Sequence, residues 1–131
     1  MPKANSRAKG RQGEREFLNL IAPLLGMEEP LQRNLQAAYE KGGADCLEIP
    51  SISLEIKRAA KPSLNAWWKQ AIAQAEEVGR IPVLAYRIDF QKWVVRVPLD
   101  MFLASPAGAE YWIEMTPETF AYQYAQSSGP T

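Results

Sequence analysis

Four side chains carry most of the chemistry this chain can offer: Glu14, Asp45, Glu55 and Lys57. In "SISLEIKRAA", residues 51–60, a β-run with period two puts Ser53, Glu55 and Lys57 on one face and Leu54 and Ile56 on the other. The segment before it carries Asp45 between Ala44 and Cys46, so a hairpin of suitable register sets Asp45 beside Glu55. Two carboxylates on adjacent strands repel unless a cation lies between them, and an all-oxygen site suits a hard ion such as Mg²⁺. A lysine one step along the same face then steadies a phosphate charge or the water that attacks it. The competing reading is a half-exposed strand whose charges simply face water.

Two helices bear on the same spot. At about 100° per residue, Glu14 falls within the arc of Phe17, Leu18 and Ile21, which makes it an acid on the core-facing side of a helix. A glutamate near a helix start can also favour the helix dipole and curl out to water. Gln70 and Gln74, one turn apart, border the apolar stripe of a later helix and can hydrogen-bond a phosphate or one of the acids.

Composition narrows the chemistry. The 131 residues contain no histidine, which removes His-based acid–base catalysis, Ser-His and Cys-His nucleophiles and mixed His/Cys zinc sites. Fifteen Lys and Arg balance fifteen Asp and Glu, so any polyanion must be met by a local patch. Lys3, Arg7, Lys9, Arg11 and Arg15 supply one near the N-terminus, and Arg33, Lys41, Arg58 and Lys61 lie near the acids in the expected fold. One cysteine, Cys46, excludes an intramolecular disulfide and fits a reducing compartment. No apolar run reaches the roughly 20 residues of a membrane span, and the basic N-terminus lacks an apolar run behind it, so a cytoplasmic location is expected.

The elements that must position these residues follow from periodicity and punctuation. Residues 1–11 read as a flexible basic arm, and residues 12–131 as one domain with a core over about 12–97 and an extension over 98–131. An amphipathic helix runs from Gln12 to about Leu25, with Pro23 kinking or ending it and Arg15, Glu16 and Asn19 on the outer face. Residues 31–39 suit a first strand; 44–49 and 52–59 form a hairpin about Pro50–Ser51. A second helix fills "SLNAWWKQAIAQAEEVG" between an N-cap at Ser63 and Gly79. "IPVLAYRI" and "KWVVRVP" are strands joined by a tight turn near Asp89–Gln91. The tail offers a strand at "AEYWIEM" and a helix start at Thr116–Pro117. The expected class is α/β, a mixed sheet flanked by helices.

"GEREF" on a first helix, then "GAD", "LEIKR" and a helix with "WWKQA" resemble the PD-(D/E)XK nuclease superfamily, over about residues 10–97. Within it the order looks most like the Holliday junction resolvase branch of archaeal and phage type. The resemblance implies a restriction-endonuclease-like core, α-β-β-β-α-β. It also implies Asp45, Glu55 and the Ile56 carbonyl as ligands of one or two Mg²⁺ ions, with Mn²⁺ as a substitute. Glu14 would organise the metal site, Lys57 would handle the attacking water, and Gln70 matches the helical glutamine of related enzymes. Ala44 stands where the motif's proline would precede the aspartate. The implied activity is metal-dependent cleavage of DNA, most specifically of branched four-way junctions by a homodimer. Tyr111, Trp112, Ile113, Phe120 and Tyr122 are candidates for the dimer interface. Two alternatives remain: another nuclease of the superfamily, restriction-like or flap-type, and a non-catalytic nucleic-acid-binding protein on the same scaffold.

Overall fold

The structure, a computed structural model, describes residues 3–29, 31, 46, 48–101 and 109–128. Helix α1 spans Lys3–Leu24, strand β1 Ile52–Ala59, helix α2 Leu64–Val78, strand β2 Ile81–Ile88, strand β3 Val94–Pro98, strand β4 Trp112–Met115 and helix α3 Pro117–Ser128. The expected strand over 31–39 and the strand half at 44–49 fall largely outside the described residues. Of the latter, Cys46 exchanges backbone hydrogen bonds with Leu54 in both directions at 3.3 Å, an antiparallel bridge.

Helix α1 starts earlier than the expected Gln12, at Lys3, so residues 3–11 form its first turns. Ala4, Arg7, Ala8, Lys9 and Arg11 are good helix formers, and Lys9 is tied to Asp89 at 2.7 Å. Both long helices end in the same device. Gly26 (φ +73°) and Gly79 (φ +65°) take the left-handed conformation that a Cβ penalises. The amide after each glycine reaches back five residues: Met27 to Ala22 and Arg80 to Ala75, each at 3.0 Å. Pro23 lies in the last turn, where it cannot donate to the Asn19 carbonyl, and the helix ends one residue later, in keeping with the early end expected of it. Helix α3 starts as expected, with Pro117 at its first position and the Thr116 hydroxyl accepting from the Thr119 amide at 3.1 Å.

The described strands lie in the order β1-β2-β3-β4. β1 and β2 are parallel with Glu55 opposite Leu84 and Lys57 opposite Tyr86, so α2 is the crossover between them. β3 and β4 add antiparallel, giving a four-stranded mixed sheet flanked by helices, consistent with a restriction-endonuclease-like core. Period two sorts the side chains. Leu54, Ile56, Val83, Ala85, Val95 and Val97 meet Phe17, Leu18 and Ile21 of α1 and Phe120 of α3 in the main core. On the other face Leu84 and Tyr86 pack under Trp68 and Ala71 of α2. Phe120, 1% exposed, is therefore core and unavailable to the interface expected of it, whereas Tyr111, Trp112 and Tyr122 are exposed.

Candidate active site

β1 is buried on both faces, which is why Glu55 cannot be a surface charge. It is 3% exposed and Ser53 beside it 1%. α2 runs back over this face and sets Gln70 above the strand, where its Nε2 donates to Glu55 Oε1 at 3.5 Å. The Lys57 ammonium stands 3.5 Å from the same oxygen, with about a quarter of its side chain exposed. Glu55, Lys57 and Gln70 are thus brought together: a sunken carboxylate, an ammonium at the rim and an amide overhead. Gln74, one turn further along α2, is buried, and its side-chain oxygen has no hydrogen-bond partner among the described residues.

The remaining expected members divide. Asp45 lies outside the described residues. Glu14 is half-buried and engaged, on a helix that packs against the opposite face of β1 from Glu55. Arg11, Arg15 and Lys61 are exposed. Lys9 and Arg58 already hold acids: Lys9 the Asp89 carboxylate at 2.7 Å, and Arg58 that of Glu16 at 3.5 Å and Asp89 at 3.9 Å. The side chains of Lys3 and Arg7, and residues Arg33 and Lys41, lie outside the described ones.

Sequence reasoning put Glu16 on the outer face of α1, and this is corrected. Glu16 is a half-buried hub: its carboxylate accepts from Arg87, from the Trp93 indole N–H at 2.9 Å and from Arg58. It turns inward because α1 lies unusually close to β1. A Cβ on Gly13 would come within 2.8 Å of the Arg58 Cβ, so only glycine allows the approach. The Phe17 and Trp93 rings, 5.0 Å apart, close the same contact. Hydrogen bonding from Lys9 outweighs burial and, with the Arg58 and Arg87 charges, holds the Asp89 carboxyl below the usual range. The network fixes the far ends of β1 and β2 just beyond Lys57. No local pattern reveals it, since Arg87 and Trp93 lie far along the chain.

A second cluster, also unforeseen, braces the other edge of the face. Arg96 is 2% exposed, yet its guanidinium sits 3.6 Å from the centroid of the Trp112 ring and 5.8 Å from that of Trp68. It bonds Glu114 through Nη2 at 2.9 Å and Nε at 3.0 Å, and the Tyr86 hydroxyl donates to the same carboxylate oxygen at 2.7 Å. Burial first, and Glu114 second, push the Tyr86 hydroxyl up to about 12.

The residues present fit a hard divalent cation. Glu55 presents carboxylate oxygen out of water, the chain has no histidine, and the lone thiol of Cys46 is buried in the opposite core. Among the described residues no three His, Cys, Asp or Glu side chains converge into a metal-binding group. None of the described helices is long and apolar enough to cross a membrane.

A mixed sheet with a parallel β1–α2–β2 crossover, a buried glutamate and a lysine two residues on, and a glutamine leaning over them from α2 agree with the class that the family comparison shows, a PD-(D/E)XK nuclease. The family model described as "Phage putative PDDEXK endonuclease" matches residues 5–127, and the chain belongs to that family. The match takes in β4 and α3, which the motif resemblance left out. No curated protein matches the chain. Nucleases of this superfamily are generally dependent on a divalent metal.

Proposed function

We propose that this nuclease is a divalent-metal-dependent DNA endonuclease whose site is Glu55, Asp45, Lys57 and Gln70, with Mg²⁺ the ion used and branched DNA the preferred substrate. The observation that carries the reading is the buried Glu55 carboxylate with Lys57 and Gln70 both 3.5 Å from one of its oxygens. Cys46, which follows Asp45 in the sequence, exchanges backbone hydrogen bonds with Leu54, the neighbour of Glu55. Glu55, Asp45 and the Ile56 carbonyl would hold the ion; because α1 packs on the other face of β1, Glu14 would act on it only through water. When bound, that ion supplies positive charge to the scissile phosphate and acidifies the attacking water.

The chain's own groups do the rest. Gln70 fixes the orientation of the Glu55 carboxylate by donating to it. Lys57, partly exposed, can donate to a phosphate oxygen or to the attacking water. Carboxylates, lysine and amide suffice for phosphodiester hydrolysis, in keeping with a chain that has no histidine. A four-way junction has two equivalent strands to cut, and a two-fold homodimer presents two equivalent sites, so the dimer is part of the proposal.

The test is incubation of purified protein with four-way junction, flap, linear duplex and single-stranded DNA, each with EDTA, Mg²⁺ or Mn²⁺. Cleavage of the junction in symmetric positions, only with metal, is expected. Absence of metal-dependent cleavage in every lane would refute the enzyme, and preference for flap or linear duplex would refute the junction assignment alone.

A further inference from the structure

The tip of the β2–β3 hairpin holds a residue that folding does not explain. The turn Ile88-Asp89-Phe90-Gln91 is closed by the Gln91 amide on the Ile88 carbonyl at 2.9 Å. Phe90 stands third in it with φ +68°, the slot that glycine or asparagine normally takes because a Cβ crowds the backbone there. Its side chain is 101% exposed, the most exposed large apolar side chain among the described residues. The chain thus accepts backbone strain in order to hold a phenyl ring in water, where packing returns nothing.

The place of this ring gives it a use. Tyr86 pairs in register with Lys57, and Phe90 lies four residues further along, at most about 13 Å at the rise of a strand. That reach is roughly three to four steps of a DNA strand at 3.4 Å each. The turn is anchored, since the Asp89 amide bonds the Ala59 carbonyl at 3.0 Å and the Arg87 Nε bonds the Gln91 carbonyl at 2.9 Å. The turn's own carboxylate does not repel phosphate, because Lys9 neutralises Asp89 at 2.7 Å and Arg58 faces it. Lys92, just past the tip, and Lys61, just past β1, are exposed cations on the same end of the sheet. An apolar ring on a rigid tip, flanked by cations beside a phosphodiester-cutting site, has the chemistry of a side chain that parts stacked bases.

We propose that Phe90 is a wedge that inserts between two stacked bases within about three to four steps of the scissile phosphate, so that the enzyme selects DNA whose stacking is already interrupted, at a nick, bulge, fork or junction. This rests on the nuclease reading above and names what sets its substrate choice. Unstacking carries a free-energy cost that is smallest where the duplex is broken, so a wedge converts that difference into selectivity.

The experiment uses the full chain and two DNAs of one sequence, a nicked and a continuous duplex. Each carries 2-aminopurine near the cut, whose fluorescence rises on unstacking. Binding and fluorescence are read in EDTA, cleavage with Mg²⁺. Wild type should raise the fluorescence of the nicked duplex and cut it faster than the continuous one. Phe90→Ala should abolish the rise, weaken binding roughly tenfold, and reduce the preference for the nicked substrate. Phe90→Trp should restore all three. Phe90→Gly should behave as the alanine variant while melting higher than wild type, which separates strain from function. Lys57→Ala should keep the fluorescence rise and lose cleavage. A rise without cleavage by wild type would overturn the nuclease reading and leave the wedge standing. Cleavage by Phe90→Ala with unchanged rise, affinity and preference would overturn the wedge. Loss of self-association in Phe90→Ala by light scattering, with DNA behaviour intact, would overturn it in favour of a protein contact.

Discussion

Replacing Glu55 by glutamine separates a site carboxylate from a structural one by the sign of the stability change. The wild-type carboxylate is 3% exposed, and taking such an ion out of water costs several kcal/mol even after relaxation. Against that stands Lys57 at 3.5 Å, worth about 5 kcal/mol at an effective dielectric of 20 and about 1 kcal/mol in bulk water. With a quarter of the Lys57 side chain exposed, the true figure lies between, so the ion pair offsets part of the burial cost. Glutamine keeps the shape and the contact with Gln70 while removing both. Metal-free Glu55→Gln is therefore expected to unfold within about 1 kcal/mol of wild type, or to be more stable, whereas breaking a structural buried pair costs about 3–5 kcal/mol. Divalent metal reverses the comparison. A ligand at 100 times its dissociation constant stabilises by about 2.7 kcal/mol, close to 10 °C for a chain of this length. Wild type should gain that shift on titration with Mg²⁺, and Glu55→Gln should lose most of it together with cleavage. Paired thermal melts in EDTA and Mg²⁺ measure both quantities. A metal-free loss above about 2 kcal/mol with an unchanged metal shift would show the carboxylate to be a structural ion and refute the argument.

Four further outcomes follow from the same geometry. Lys57→Ala should lower the single-turnover cleavage rate by about 10²–10⁴ while leaving DNA affinity in EDTA within about threefold of wild type; loss of binding in parallel would give Lys57 a binding role instead. Arg96→Met removes a buried guanidinium from between two tryptophans and from Glu114 and should cost about 3 kcal/mol in urea unfolding. Tyr86 keeps its proton in the folded chain to about pH 12 against about 10 unfolded, so its share of stability is intact below pH 10 and declines as pH rises to 12. Glu114→Gln should move the ultraviolet titration of Tyr86 downwards, though burial keeps it above 10. Gly13→Ala should destabilise by about 1–2 kcal/mol instead of giving the gain of about 1 kcal/mol usual inside a helix, because the new methyl meets the stiff Cβ of Arg58 at 2.8 Å; a measured gain would mean that α1 can draw back freely.

The sequence reveals those parts of this protein that depend on neighbours along the chain. Period two in β1 assigns Leu54 and Ile56 to one face and Glu55 and Lys57 to the other, and both faces are where that parity puts them. The turns at Pro50–Ser51 and Asp89–Gln91, the Gly79 stop and the Thr116–Pro117 start are equally local, and all are present. Glu16 shows the limit. On a helical wheel it lies beyond the apolar arc, and its inward turn depends on Arg87 and Trp93, which reach it only after the β2–β3 hairpin has closed. Arg96 is hidden for the same reason, since an arginine inside "KWVVRVP" reads as an outward residue until Trp112 and Glu114 arrive from β4. Lys9 and Arg58 read as cations for DNA because their acidic partners, Asp89 and Glu16, are likewise distant in the chain.

The long-range clusters explain how one short strand can hold the side chains of the proposed site in a set arrangement. Hydrogen bonds between charged groups strengthen as they shorten, and the supports on either side of the site are short: 2.7 Å for Lys9 to Asp89, 2.7 Å for Tyr86 to Glu114 and 2.9 Å for Trp93 to Glu16. The contacts of Lys57 and Gln70 with Glu55 are both 3.5 Å, near the limit of a useful bond. A site group locked into short internal bonds would have to break them in order to act, whereas supporting groups lose nothing by being locked. The two networks bind α1, β2, β3 and β4 around β1, on either side of the Glu55–Lys57 face. The same rigidity carries to the tip of the β2–β3 hairpin, where the Glu16–Arg58–Asp89 network holds Phe90 at a set distance from Lys57. Rigidity built from residues far apart in the chain is therefore what gives the short Glu-x-Lys motif its geometry.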